Sequence, residues 1–264
     1  MNKILIFATL ILISGFDSKE PRKFNYRILG NGKPTIIVDV GMGETLRSWH
    51  SLQTKLSKLT TVVTYDRLGL GKSDTTSVPR TIENLSIDLN EFLTSNRIPG
   101  PYLLIGHSLG TSILRKYQND HSENVLGMIL IDPVHEDQFD RLIAVKSKED
   151  QEETIRWREK FEMNLKEGER NEAIMYHQQM AAMRDVMYPT HIPITIIGSF
   201  KVGPGATAED RQIKKELFDQ WLIQAPQIKL IATTKSGHYI QNSEPELLID
   251  EVKLMVEKLR AEQR

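Results

Sequence analysis

The chain of 264 residues contains no cysteine. Disulfide frameworks, thiolate metal sites, iron–sulfur clusters and a cysteine nucleophile are thereby excluded. It also lacks an excess of either charge, with 34 basic residues against 35 acidic ones and a formal net charge of −1. A nucleic-acid binder carries a basic surplus, so that class of partner is not expected. Runs of like charge are only a few residues long, which argues against an electrostatic tail. No H-E-x-x-H pattern occurs and no histidine pair has metal-ligand spacing, so the expectation is chemistry without a cofactor or metal. Gly71-Lys72-Ser73 resembles the end of a phosphate-binding loop, but Asp66 stands where its first glycine belongs. What remains is ordinary for a folded protein: 39% hydrophobic and 26% charged residues, enough for a sizeable core.

The first twenty residues differ from the rest. Lys3 precedes an apolar run, Ile4 to Ile13, and then Ser14-Gly15. A positive residue, a short apolar stretch and small residues have the layout of a secretory signal peptide. The run is short for a span, which needs about 20 residues. No A-x-A cleavage triplet is present, so an uncleaved N-terminal anchor stays open beside the signal peptide. An exported protein, periplasmic or secreted, is expected, with any membrane association confined to residues 1–20.

Beyond Pro21, β-rich runs alternate with amphipathic segments. Strands are predicted at Phe24–Leu29, Pro34–Val40, Thr61–Asp66, Tyr102–Gly106, Leu126–Asp132, Ile192–Gly198 and Gln227–Ala232. Continuous apolar stretches such as Met128-Ile129-Leu130-Ile131 suit strands buried on both faces. Ile82, Leu85, Leu89 and Phe92 share one helix face, as do Leu248, Val252, Met255 and Leu259. Alternating strands and helices predict an α/β fold with a mostly parallel central sheet flanked by helices. Residues 136–187 interrupt this rhythm with charged helical sequence, and are expected to be a helical cap inserted into a core of residues 21–135 and 188–264.

Gly106-His107-Ser108-Leu109-Gly110 is a G-x-S-x-G motif, preceded by a strand pattern and followed by a helix pattern from Thr111 to Asn119. That context is a nucleophile elbow, with Ser108 at the apex of a strand–turn–helix. A serine hydroxyl needs a base to take its proton. His238, in Ser236-Gly237-His238-Tyr239, follows the last strand at the end of the sheet where such folds bind ligands. A carboxylate should orient it. Asp132, at the tip of Met128–Ile131, is preferred, with Asp210 as the alternative acid and Glu136 or Asp137 behind it. The oxyanion would rest on two backbone N–H groups, those of Leu109 and of Met42 in the turn Gly41-Met42-Gly43-Glu44.

Taken in order, these features resemble the α/β-hydrolase superfamily. Besides Gly106–Gly110, the stretch Asp66-Arg67-Leu68-Gly69-Leu70-Gly71-Lys72-Ser73 is similar to its D-x-x-G-x-G-x-S turn, and Asp132-Pro133 and Ser236-Gly237-His238 sit where that family has them. Two departures stand out. Val40-Gly41 replaces the usual His-Gly of the oxyanion loop, and the acid usually found after the seventh family strand is missing. Certain haloalkane dehalogenases in the superfamily carry the acid one strand earlier, which fits Asp132. Dehalogenases and epoxide hydrolases use an aspartate nucleophile, whereas position 108 is serine, so the resemblance implies ester-type chemistry on a small-molecule acyl substrate. Aminopeptidase, thioesterase and lactonase activities on the same triad, or a binding protein that retains the fold, are the alternatives.

Overall fold

The computed structural model describes residues 22–263, so the expected signal or anchor at residues 1–20 lies outside the described residues. Strands β1 (Tyr26–Leu29), β2 (Thr35–Asp39), β3 (Val62–Tyr65), β4 (Tyr102–His107), β5 (Val125–Ile131), β6 (Ile194–Ser199) and β7 (Ile228–Thr233) form a single sheet in the order β1-β3-β2-β4-β5-β6-β7. Each lies within two residues of its predicted bounds. Only β1 runs antiparallel, pairing Tyr26 with Tyr65 at the edge. The remaining pairings are parallel.

The continuous apolar runs are buried because helices cover both faces. In β2, β4 and β5, side chains alternate between two cores, as a period of two requires. Ile37, Leu104, Met128 and Leu130 face one core, and Ile36, Val38, Leu103, Ile105, Ile129 and Ile131 the other. The second face receives α1 (His50–Leu56), while α2 (Ile82–Ser95) and α3 (Leu109–Asp120) pack on the first. Helix α2 starts where the Thr81 side chain accepts the Asn84 N–H at 3.0 Å, satisfying one of the orphan amides of the first turn.

Between β5 and β6 the chain forms α4 (Gln138–Ala144), α5 (Lys148–Met163), α6 (Glu167–Gln179) and a short 3₁₀ turn, Met180–Asp185. The pieces of this excursion are held unequally. No residue of α5 is buried, whereas α6 buries Glu172, Ala173 and Tyr176. Helix α6 packs on α2, and α4 packs on α7 (Ala208–Gln224). The chain then closes through β7, the short α8 (Ile240–Ser243) and α9 (Pro245–Glu262), whose Leu248, Val252, Met255 and Leu259 complete the second core. Among the described residues no helix is long and apolar enough to cross a membrane.

Candidate active site

The elbow is a problem of close packing. Strand β4 ends at His107 and α3 begins at Leu109, leaving Ser108 between them at φ +51° and ψ −118°. A non-glycine residue held there is strained and persists only because its surroundings over-determine it. Ser108 N–H donates to Ile131 O at 3.1 Å, while its carbonyl accepts from Thr111 N–H (3.0 Å) and Thr111 Oγ1 (2.6 Å). The flanking glycines have no room for a side chain. A Cβ at Gly106 would lie 2.9 Å from the Thr111 nitrogen, and one at Gly110 would lie 2.3 Å from the Asp39 carbonyl oxygen. Leu109 is the first residue of α3, so its N–H is one of the amides that find no acceptor within a helix.

Asp132 follows β5 directly, in a second positive-φ conformation of +44°, with its N–H donated to Ile197 O at 2.7 Å. This bend brings the buried carboxylate to two sets of donors. Oδ2 accepts from His238 Nδ1 at 2.7 Å. Oδ1 accepts from Lys214 Nζ at 2.6 Å and from Ser199 N–H at 2.7 Å. Burial pushes the Asp132 carboxyl up, but the His238 hydrogen bond and the Lys214 charge outweigh it and hold the group below its ordinary value. For Lys214 the balance is reversed: burial lowers its pKa and Asp132 only partly compensates. Its ammonium also lies 5.2 Å from the centre of the Phe218 ring.

The His238 loop is anchored from behind. His107 Nε2 donates to the His238 carbonyl at 3.0 Å, and Ser199 Oγ donates to the Ser236 carbonyl at 2.7 Å. The His238 side chain itself stays 42% exposed. The alternative acids are not brought here. Asp210 is occupied at the start of α7, where its carboxylate accepts the Thr207 N–H at 2.7 Å while Thr207 Oγ1 accepts the Asp210 N–H at 3.1 Å. That reciprocal capping box explains an acid at position 210 without any link to His238. Glu136 is buried in an ion pair with Arg115 at 2.6 Å, and Asp137 pairs with Arg184 at 2.6 Å.

The turn Gly41–Glu44 has a definite amide inventory. Gly41 N–H donates to Glu44 Oε2 (2.8 Å), Gly43 N–H to Glu172 Oε2 (2.9 Å) and Glu44 N–H to Gly41 O (3.1 Å). Among the described residues the Met42 N–H donates to nothing. A turn that occupies three of its four amides and leaves one is suited to an outside acceptor. The Met42 side chain packs against the core and is only half-buried.

The D-x-x-G-x-G-x-S stretch turns out to be a structural turn. Asp66 accepts from Leu46 N–H (2.8 Å), Lys72 N–H (3.0 Å) and Asn25 Nδ2 (2.7 Å). Gly71 is required because a Cβ there would fall 2.0 Å from Asp66 Oδ2. Arg67, Glu172 and Lys214 escaped sequence reading, although two of them carried a signal. Lys214 precedes Leu217, Phe218 and Trp221 by three, four and seven residues, and Glu172 precedes Tyr176 by four, so each sits on an apolar helical stripe. A charged residue on such a stripe needs a buried partner. Among the described residues no group of three or more histidine, aspartate or glutamate side chains is arranged to hold a metal ion.

Comparison with known proteins bears on the fold. A family model described as alpha/beta hydrolase fold matches residues 34–194, a stretch that includes Ser108 and Asp132 and stops short of His238. The uncharacterized protein YqjL of Bacillus subtilis is 30% identical over 104 residues, covering 39% of this chain and 41% of that protein. The human (lyso)-N-acylphosphatidylethanolamine lipase is 31% identical over 110 residues, 39% of this chain and 31% of the lipase. The chain thus aligns with less than half the length of these relatives. Among solved structures, an esterase from Thermogutta terrifontis superposes with a TM-score of 0.65 at 17% identity, covering 90% of this chain and 94% of the esterase.

Proposed function

The chain belongs to the alpha/beta hydrolase fold family, and we propose that it is a serine hydrolase cleaving carboxylic esters or related acyl compounds. Ser108 Oγ attacks the acyl carbon as His238 takes its proton through Nε2. The oxyanion of the tetrahedral intermediate accepts from the N–H groups of Leu109 and Met42. His238 then returns the proton to the departing alkoxide, leaving the acyl group on Ser108. Water, deprotonated by the same imidazole, attacks that ester, and collapse of the second tetrahedral intermediate releases the acid and restores the Ser108 hydroxyl. Asp132 holds His238 in the required tautomer and stabilises its charged form.

The observation that carries this reading is the 2.7 Å contact between Asp132 Oδ2 and His238 Nδ1 beside an elbow serine at positive φ. It ties together two residues 106 positions apart, and leaves Nε2 of the ring as the free nitrogen for proton transfer. The names of the lipase and esterase relatives favour an acyl substrate. Hydrolysis of p-nitrophenyl acetate, butyrate and octanoate, with Ser108→Ala as control, tests the proposal. Turnover that falls by on the order of 10³ or more in the variant supports a serine nucleophile. Wild-type protein that is folded but cleaves none of them, and is not labelled by a fluorophosphonate, refutes it. An amide, thioester or lactone preference would appear as faster turnover of those substrates in the same panel. Export rests on residues 1–20, and mass spectrometry of the mature N-terminus tests it.

A further inference from the structure

Building on the hydrolase reading, we infer that Glu172 is a positioning residue for the oxyanion turn, so that seating of helix α6 sets the Met42 N–H. Arg67 lies at the centre of these contacts. This buried guanidinium reaches into the segment that leads from β2 into the turn. Its Nη1 donates to Asp39 Oδ1 (2.6 Å) and Val40 O (2.8 Å), and its Nη2 donates to Gly41 O (2.8 Å). One planar group therefore fixes three consecutive residues, 39 to 41.

Glu172 completes the clamp from the other side. Its Oε1 accepts from Arg67 Nε at 2.7 Å and its Oε2 from Arg67 Nη2 at 2.8 Å, a two-point contact between planar groups. The same Oε2 accepts the Gly43 N–H at 2.9 Å. Met42 is thus bracketed: Gly41 is held through its carbonyl by Arg67, and Gly43 through its amide by Glu172. The Glu172 side chain is fully buried, and both oxygens are spent on this contact. Nothing in the helical stability of α6 calls for a carboxylate there. A glutamate facing solvent would serve the helix as well, and burying one without such partners would be costly.

Close packing at the start of α6 supports the same seating. Gly168 lies so near the turn after β3 that a Cβ on it would come within 2.0 Å of the Gly69 carbonyl oxygen. A Cβ on Gly43 would meet the Glu169 side chain at 3.1 Å. Helix α6 belongs to the excursion between β5 and β6, yet Gly168, Glu169 and Glu172 of α6 meet the segments after β2 and β3. If α6 lifts, Arg67 loses its outer partner, Gly43 loses its acceptor, and Met42 N–H is no longer confined.

Two variants test this in the full-length protein. Glu172→Gln retains shape but has one acceptor oxygen and no charge. Seated at the Oε2 position, that oxygen leaves the amide NH₂ facing Arg67 Nε–H, donor against donor, so the two-point contact that anchors the Gly43 acceptor is broken. Gly168→Ala displaces the start of α6 by steric contact with the Gly69 carbonyl and leaves Glu172, Arg67 and Gly43 chemically unchanged. Each is assayed for kcat and KM on the best p-nitrophenyl ester and for inhibition by a trifluoromethyl ketone, whose tetrahedral adduct presents an oxyanion. We expect Glu172→Gln to lower kcat by on the order of 10²-fold with KM changed by less than about threefold. Its inhibition constant for the ketone should rise by the factor that kcat/KM falls. Gly168→Ala should shift both in the same direction by a smaller factor. Loss of melting temperature with unchanged kcat and ketone affinity, in Glu172→Gln or, if that variant does not fold, in Gly168→Ala, overturns the inference. An inactive wild type defeats the hydrolase reading itself and is distinguished by the Ser108→Ala and fluorophosphonate controls.

Discussion

Helices α5 and α6 are neighbours in the same excursion and both are rich in charge, yet they have different fates. Helix α5 carries Ile155, Trp157, Phe161 and Met163, and none of these is buried; Trp157 is 65% exposed and stacks on Phe161 of the same helix. Helix α6 has fewer large apolar residues but turns Glu172, Ala173 and Tyr176 inward, and Met180 of the 3₁₀ turn that follows is buried after them. Spacing rather than content decides which helix is built into the protein. The buried stripe on α6 includes a carboxylate, as that on α7 includes the ammonium of Lys214, and each of these charges ends beside the candidate site. Helix α5 sends no such group inward.

The largest expected effect separates the two acids that the sequence offered for His238, Asp132 as the preferred one and Asp210 as the alternative. Asp132→Asn should lower kcat by on the order of 10²–10⁴ because the imidazole loses its orienting partner. Asp210→Asn should leave kcat within about twofold and cost roughly 1 kcal/mol at the α7 cap. Steady-state kinetics on both variants check this, and the opposite ranking would remove Asp132 from the site.

Next comes the buried charge on α7. Lys214→Met leaves the Asp132 carboxylate without its counter-ion and should cost about 3–5 kcal/mol at pH 7. The sign of its pH dependence follows from the depressed Asp132 pKa. A carboxylate held below its ordinary value stabilises the fold above that value, and the contribution is lost as pH falls through the folded one. In the variant the carboxyl rises and protonates first, so the gap to wild type should narrow below about pH 4. Urea unfolding at several pH values measures it, and a gap independent of pH would mean the pair contributes packing alone.

A smaller effect distinguishes α6 from the sheet. Burial, helped by the Arg158 charge, pushes His177 down to about 4. The unfolded chain therefore takes up a proton before the folded one does, and stability contributed by neutral His177 fades as pH falls from about 6.5 to about 4. Amide exchange in α6 should accelerate between pH 7 and pH 5, after correction for intrinsic rates, while β4 and β5 stay protected. His177→Gln should flatten that response. The smallest effect is expected on α5: Trp157→Ala should change stability by no more than about 0.5 kcal/mol and leave kcat unchanged. A large loss of activity there would erase the distinction between the two helices.

Much of this architecture was readable along the chain because it rests on local rules. Apolar runs such as Met128–Ile131 mark strands covered on both faces, and the glycines at 106 and 110 mark a turn with no space for side chains. Ser108 and His238 stand out because an elbow motif and a loop after the last strand have recognisable neighbours. Asp132 was less legible. Its competitors were acids of the same chemistry at plausible distances in sequence, and only the fold shows Asp210 turned to a helix cap and Glu136 to Arg115.

The order of strands and helices, the serine turn and the histidine loop are thus written in residue type and spacing. The tertiary structure decided which carboxylate meets His238, and that Lys214 lies beneath it. It also decided that Arg67 and Glu172, 105 positions apart, close on the turn that carries Met42. Local pattern arises from backbone geometry and the period of a helix or strand, which act over a few residues. A buried ion pair depends on where two distant elements come to rest, and no local spacing encodes that separation.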